Sequence, residues 1–278
     1  MQNNNYIAFI VEGDDREPQI IENISKVFFS HHNFKIISLP AGNNIYMLWK
    51  KLKSDNFETD IIEVVREIND QSKDALKGLS RDDFSFVYLL FDYDPHQKNT
   101  ERNLTEDVIK QMLESFDNET ENGKLYISYP MIEALRDFTD STCGNGIGCY
   151  VPMDQITNYK HKSAEKSAAP HFKKYDFALW KLVIEIFAMK LSCLFGYSHK
   201  IGFETYRNEI STIKIYEREL QLLKTKGVFV LSSLPELILD YFNKKFWNKT
   251  VGNSQFSSYA SKCRSFSPYP RTKVIIVL

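Results

Sequence analysis

Two aspartates at the end of an apolar run are the first candidates for chemistry. Asp92 and Asp94 follow the run 86–91, and Pro95 comes directly after them. A short uninterrupted apolar run is typical of a strand that is buried on both faces, as in a parallel sheet. Ligands of open α/β sheets bind at the carboxyl ends of such strands. Because two carboxylates held this close repel each other unless a cation lies between them, the pattern indicates a divalent-metal site.

A second apolar run, 6–11, also delivers acids at its carboxyl end. Glu12-Gly13 follows it directly, and Glu17 comes a few residues later. Mg²⁺ and Mn²⁺ prefer oxygen ligands, and Mg²⁺ keeps several waters, so a few carboxylates suffice to hold the ion. We expect Asp92 and Asp94 to hold the metal, and Glu12 to share it or to act as general base or acid. Glu17 and Glu133 are candidates for a second metal or for an outer contact.

The elements that must position these acids alternate between strand and helix. The order β-α-β-α-α-β-α-β-α predicts an α/β fold with a mainly parallel sheet flanked by helices. The predicted strands are 6–11, 34–39, 86–92 and 124–128, and the predicted helices are 17–30, one through 45–52, 59–75, 104–116 and one that begins near Pro130. Beyond residue 155 we predict helices near 176–195, 203–224 and 234–246, with a stray strand in 227–233.

The charge distribution divides the chain at the same place. Residues 1–155 contain 15 Lys and Arg against 27 Asp and Glu, whereas residues 156–278 contain 20 against 9. We therefore predict an acidic domain over 1–155 that holds the metal, which the family resemblance given below implies to be a catalytic domain, and a basic, mostly helical domain over 156–278. Such asymmetry is a cue to polyanion binding, although mutual attraction of the two halves explains it equally well. The candidate contacts to a DNA or RNA backbone are Lys160, Lys162, Lys173 and Lys174; a solvated basic linker is the alternative.

The acidic motifs resemble those of the Toprim domain, and within that group the OLD/RloB-like bacterial nucleases. Their first motif, Glu-Gly-x-x-x-Glu-Pro, is satisfied by Glu12-Gly13 and Glu17-Pro18, and the strand ending in Asp-x-Asp comes later, as it should. Their Asn-Pro-x-x-Glu helix start is approximated by residues 129–133, where Tyr129 replaces the asparagine. Arg16 also departs from the pattern, since many relatives carry threonine or an acid there. The resemblance covers about residues 6–140 and implies a helical insertion at about 43–80.

This resemblance implies a function as well as a fold. It implies Mg²⁺- or Mn²⁺-dependent phosphodiester cleavage of DNA or RNA, with Glu12, Asp92 and Asp94 as catalytic residues. It further implies a role in antiviral defence beside a separate ATPase subunit. The chain itself has no Gly-x-x-x-x-Gly-Lys-Ser/Thr loop, so ATP hydrolysis would come from that partner.

Other interpretations of the same residues stay open. The chain could be a non-catalytic Toprim-like protein that binds nucleic acid or a partner, or a small-molecule phosphohydrolase. The aspartate pair could cap a turn, and Glu17 and Glu133 could be ordinary acids of a first helical turn. His96 could contact a phosphate, and a zinc site from Cys143, Cys149 and His161 is a weaker alternative.

Composition and termini bound the environment. The start of the chain has no basic and apolar signal pattern, and its four cysteines include no CxxC pair. The most apolar helical stretch, 177–195, carries Lys181, Glu185 and Lys190, so we do not expect it to span a membrane. We therefore expect a cytoplasmic protein with no membrane partner, and homo-oligomerisation stays open.

Overall fold

A five-stranded sheet organises the amino-terminal part of the chain. The computed structural model describes residues 6–30, 32, 34–41, 45–93, 106–138, 149–167, 169–197, 199–225 and 227–252. The strands are β1 (Tyr6–Val11), β2 (Lys35–Pro40), β3 (Phe84–Asp92), β4 (Asp117–Asn118) and β5 (Gly123–Ser128). Their spatial order is β2-β1-β3-β5-β4, and the first four strands of that order run parallel. Only β4, which the sequence did not predict, pairs antiparallel. The predicted α/β class with a mainly parallel sheet is confirmed.

The register places the ends of the central strands side by side. Residues 7–11 of β1 are fully buried, as expected for a strand covered on both faces. Val11 pairs with Leu90 of β3, and Asp92 at the end of β3 pairs with Ser128 of β5. The residues that follow β1, β3 and β5 therefore emerge at one edge of the sheet.

Helices connect the parallel strands. They are α1 (Arg16–Ile24), which continues as a π-helical turn over Ser25–Phe29, α2 (Ile45–Ser54), α3 (Ile61–Ile68), α4 (Asp70–Ala75) and α5 (Glu106–Ser115). The prediction of one helix over 59–75 was wrong, because the chain breaks between α3 and α4. Asn69 adopts an extended conformation there, and its side chain accepts a hydrogen bond from the N–H of Ser72, so it ends one helix and caps the next. Helices α2, α3 and α4 occupy the segment in which an insertion was predicted.

The segment after β5 is not the ordinary helix that the proline predicted. The Tyr129–Pro130 peptide bond is cis, and a short 3₁₀ helix follows over Ile132–Arg136. Tyr129 exchanges two main-chain hydrogen bonds of 2.8 Å with Leu231. The N–H of Ile132 donates to Oδ1 of Asp92 at 2.7 Å. These contacts hold the segment as an irregular turn against the sheet.

The described part of the chain beyond residue 149 is mainly helical. Its elements are β6 (Tyr150–Val151), a 3₁₀ helix (Met153–Asn158), α6 (Tyr159–Lys166), a 3₁₀ turn (Phe172–Lys174), α7 (Phe177–Phe195), α8 (Phe203–Glu209), α9 (Thr212–Leu223), β7 (Val228–Phe229), α10 (Ser233–Tyr241) and α11 (Lys244–Thr250). The strand predicted in 227–233 is present as β7, which pairs antiparallel with β6. Each of the two long helices predicted at 203–224 and 234–246 is split, since Ser211 and Asn243 cap new helices within them.

The basic segment packs directly on the sheet domain. The Asn23 side chain donates to the carbonyl of Tyr175 at 2.8 Å and accepts from the indole of Trp180 at 2.7 Å. The buried Lys190 ammonium donates to the carbonyl of Asp137 at 2.7 Å. One continuous hydrophobic core includes residues from both sides of position 155. The division at residue 155 stays a prediction. Within the described residues, no helix combines the length and apolar composition needed to cross a membrane.

Candidate functional site

Four of the predicted acids meet at the carboxyl edge of the sheet. Asp92 is the last residue of β3. Glu12 directly follows β1, the strand next to β3 in the sheet. Glu133 lies in the 3₁₀ helix after β5, and Glu17 lies in the first turn of α1. The charges of Glu12, Glu17 and Glu133 all act on the Asp92 carboxyl group. The structure therefore brings together side chains that are up to 121 positions apart in the sequence.

The Asp92 carboxyl group is held in an unfavourable electrostatic environment. Its removal from water raises its pKa well above the usual 3.8, and repulsion by Glu12, Glu17 and Glu133 raises it further. The hydrogen bond from the Ile132 N–H lowers the pKa but does not outweigh these effects. A nearby cation would favour the ionised form of this group.

Glu17 folds back over the glycine that follows Glu12. A Cβ atom at position 13 would lie 2.9 Å from Oε2 of Glu17, so a larger residue there would displace the end of this flexible side chain. Burial raises the pKa of Glu17, while hydrogen bonds from the main-chain N–H groups of Glu17 and Gly13 lower it. The glycine of the Glu-Gly motif thus lets the Glu17 carboxylate lie against the main chain directly after Glu12.

Glu133 already has basic partners. Arg16 Nη1 forms an ion pair with Oε1 of Glu133, and Lys160 Nζ lies 3.9 Å from the same oxygen. The Glu133 side chain is only 3% exposed, whereas that of Arg16 is 37% exposed. The sequence predicted Glu133 as a ligand or outer contact of a metal. In the structure its direct contact is with Arg16, the residue that departs from the nuclease motif.

Two further side chains near Glu133 were not singled out from the sequence. The Arg136 guanidinium stands 4.6 Å from the ring centre of Phe172, and its Nε donates to the carbonyl of Pro170 at 3.2 Å. The hydroxyl of Tyr159 is buried without a hydrogen-bond partner among the described residues. Neither residue belongs to a sequence motif. Arg136 ends the 3₁₀ helix that carries Glu133, and Tyr159 comes close because α6 packs against that helix.

The four predicted nucleic-acid-binding lysines differ in their distance from the acids. Lys160 is the one that the structure brings to Glu133. Lys162 is exposed and donates to Oε1 of Gln155 at 3.0 Å. Lys173 and Lys174 are exposed on the 3₁₀ turn that packs against α1, where the carbonyl of Lys173 accepts from Asn23 at 3.3 Å. Lys160 and Lys162 lie on α6, which packs against the 3₁₀ helix of Glu133, and Lys173 and Lys174 lie on a turn that packs against α1, the helix of Glu17.

Several predicted participants lie outside the described residues, namely Asp94, His96 and Cys143. Of the other two residues in the zinc alternative, Cys149 is buried and forms no disulfide bond within the described residues, and His161 is exposed. Across the described ranges, no three His, Cys, Asp or Glu side chains stand ready to share one metal ion. Within the described residues, the acids of the site are Glu12, Glu17, Asp92 and Glu133, and Asp94 lies outside those residues.

Comparison with known proteins adds no family to this description. The chain matches no protein-family model, and no curated protein or solved structure is detectably similar to it.

Proposed function

We propose that the chain cleaves phosphodiester bonds of DNA or RNA with the help of Mg²⁺ or Mn²⁺. The observation that carries this proposal is the convergence of Glu12, Glu17 and Glu133 on Asp92 at the carboxyl ends of three neighbouring strands. Carboxylates that repel one another in a partly enclosed site are stabilised by a hard dication. Strand ends of a parallel sheet are also where α/β proteins bind their ligands.

The chemistry of the donor set suits such an ion. Glu12 and Asp92, together with Asp94, would hold it, and Glu17, whose carboxylate lies beside Gly13, is the candidate for a further contact. When bound, the ion would supply charge stabilisation of the phosphate and would promote ionisation of the attacking water. Every acid of the set offers oxygen, which suits Mg²⁺ and Mn²⁺ better than a softer metal.

The roles of the chain's own groups follow from their positions. The Ile132 N–H fixes one oxygen of Asp92, so the carboxylate keeps its orientation before substrate binds. Glu12 at the end of the adjacent strand is the candidate general base or acid. Lys160, Lys162, Lys173 and Lys174 would contact the nucleic-acid backbone on either side of the site. Membership of the Toprim group of OLD/RloB-like nucleases, antiviral defence and a separate ATPase subunit are parts of the same proposal.

The test is metal-dependent nuclease activity on labelled single-stranded and double-stranded DNA and RNA. We expect Asp92→Asn and Glu12→Gln each to lower the rate by about 100-fold or more, the scale of losing a general acid or base. Asp82→Asn is the matched control, because Asp82 is exposed in the turn before β3. If wild-type cutting is metal-independent, or if both site variants cut as well as wild type, the proposal is wrong.

A second candidate function is a non-catalytic protein that binds nucleic acid. The ion pair between Arg16 and Glu133 favours it, because this pair neutralises one acid of the site. Titration of Mn²⁺ by calorimetry separates the two. A nuclease requires metal binding that is lost in Asp92→Asn, whereas a binding protein shows no metal affinity that depends on Asp92.

A further inference from the structure

The acidic site has a basic flank built around Glu133. Arg16 and Lys160 both approach the same carboxylate oxygen, and the charges of Arg136 and Arg16 act on each other across this small region. The flank therefore carries three cations around one carboxylate. The charges of Glu133, Glu12 and Glu17 in turn act on Asp92. Cations and carboxylates gathered in one site suit a ligand that presents negative oxygens together with a metal.

Two of the cations on this flank are more exposed to solvent than the carboxylate, which would allow them to exchange Glu133 for another anion. The side chains of Arg16 and Lys160 are 37% and 55% exposed, while that of Glu133 is 3% exposed. Both cations can thus turn towards solvent, and the carboxylate cannot follow. An arginine fork also matches phosphate oxygens in a bidentate geometry, much as it matches a carboxylate.

A buried hydroxyl group is a second, independent observation that points to a ligand at this flank. Tyr159 is 6% exposed, and its hydroxyl has no hydrogen-bond partner among the described residues. The charges of Asp137, Glu133 and Arg136 all act on this hydroxyl. A buried polar group without a partner is costly, so a donor of this kind beside a basic flank is suited to an anionic acceptor.

We propose that Arg16 and Lys160 form a phosphate subsite, and that the Glu133 carboxylate occupies their donors until a substrate phosphate replaces it. The ligand class is a polynucleotide, bound through the phosphate next to the one that is cut. This inference rests on the proposed function for its substrate, but the subsite acts in binding and not in bond cleavage.

The first test measures binding without metal. A short fluorescein-labelled oligonucleotide, as single-stranded DNA and as RNA, is titrated in EDTA and followed by fluorescence anisotropy. We expect Arg16→Gln and Lys160→Gln each to weaken binding about tenfold and to reduce the slope of log K against log salt by about 1. Lys181→Gln and Lys245→Gln remove one exposed positive charge elsewhere and should leave both quantities unchanged.

The second test asks whether Glu133→Gln strengthens or weakens the binding of the oligonucleotide. If the carboxylate competes with phosphate, Glu133→Gln tightens metal-free binding, whereas a merely structural glutamate would weaken it or leave it unchanged. Glu17→Gln removes a carboxylate of the same site without releasing Arg16. The gain in affinity for the oligonucleotide should therefore be clearly smaller in this variant. Should Arg16→Gln fail to fold because Glu133 is left unpaired, the double variant Arg16→Gln/Glu133→Gln removes both charges and should still bind weakly.

The outcomes separate this subsite from the cleavage reaction. Loss of metal-free binding in Arg16→Gln, with no cutting by any form of the protein, supports the subsite and rejects the nuclease. Normal binding and a normal KM in Arg16→Gln and Lys160→Gln, with cutting that depends on Asp92, reject the subsite and retain the nuclease. An equal gain in Glu133→Gln and Glu17→Gln would also overturn the proposal, because it would show only a general charge effect.

Discussion

Two aspartates, one at the end of a strand and one on a helix that packs against the same sheet, have opposite surroundings. Asp240 on α10 accepts hydrogen bonds from Lys124 Nζ at 2.6 Å, from the Tyr126 hydroxyl at 2.9 Å and from the Tyr206 hydroxyl at 2.7 Å. Asp92 at the end of β3 accepts from the Ile132 N–H and faces three other carboxylates. Asp240 is compensated by donors, and Asp92 is opposed by like charges.

The difference separates an acid that stabilises the fold from one that we propose to bind a ligand. The network around Asp240 joins β5 to α10 and α8, and removal from water together with the Asp240 charge raises the pKa values of Tyr126 and Tyr206, so both hydroxyls stay protonated donors. Such a network stabilises the fold as it stands. The group around Asp92 costs stability in the absence of a cation. Strained electrostatics of this kind are typical of sites that bind a ligand.

The largest effect on stability should follow from breaking the compensated group. We expect Asp240→Ala to lower the free energy of unfolding by about 3–5 kcal/mol, because Lys124 and two tyrosine hydroxyls lose their shared acceptor. Urea unfolding followed by circular dichroism measures this. Glu204→Ala is the control, since its ion pair with Lys244 is exposed and should contribute less than about 1 kcal/mol. A loss at Asp240 no larger than that of the control would contradict the comparison.

At Asp92, in contrast to Asp240, we expect loss of the carboxylate to stabilise the fold. In EDTA at neutral pH, Asp92→Asn should raise the free energy of unfolding by about 1–3 kcal/mol, since it removes a charge that its neighbours oppose. The amide oxygen can still accept from Ile132. A stability loss in this variant at neutral pH would show that Asp92 is a structural acid like Asp240.

The pH dependence of that gain has a definite direction. The folded pKa of Asp92 lies above its usual value of 3.8, so the folded state binds the proton more tightly than the unfolded chain does. Below pH 3.8 both states are protonated, and Asp92 brings no penalty. As pH rises towards the folded pKa, wild-type stability falls and the advantage of Asp92→Asn grows. Thermal unfolding at a series of pH values in EDTA, repeated with Mn²⁺, measures this. We expect Mn²⁺ to raise the melting temperature of wild type and not that of the variant.

The smallest effect on stability should follow from the loss of one hydrogen bond to Asp240. Tyr126→Phe removes one of the donors to Asp240 while keeping the buried ring, so we expect a loss of about 1 kcal/mol in urea unfolding. Tyr6→Phe is the control, because the contact that the Tyr6 hydroxyl makes with Lys35 Nζ is exposed and long, at 3.5 Å. Equal effects at the two positions would show that the bond from Tyr126 to Asp240 adds nothing to stability.

The strands and the acids that end them were predictable because their signals are local. The uninterrupted apolar runs 6–11 and 86–91 predict buried parallel strands, and the residues that follow them had to reach the same edge if the strands were neighbours. The helix breaks at Asn69, Ser211 and Asn243 were missed. Each break depends on a single capping side chain within a pattern that remains apolar at helical spacing.

The sequence by itself determined the class of the fold and the acidic character of the sheet edge, because strand burial and the residue after each strand are written in short runs. Only the tertiary structure decided which charges meet. The pairing of Arg16 with Glu133 depends on how α1 meets the turn after β5. The approach of Lys160 and the buried hydroxyl of Tyr159, which has no hydrogen-bond partner among the described residues, depend on how α6 packs against that turn. Such contacts join residues far apart in the chain, and no local pattern specifies them.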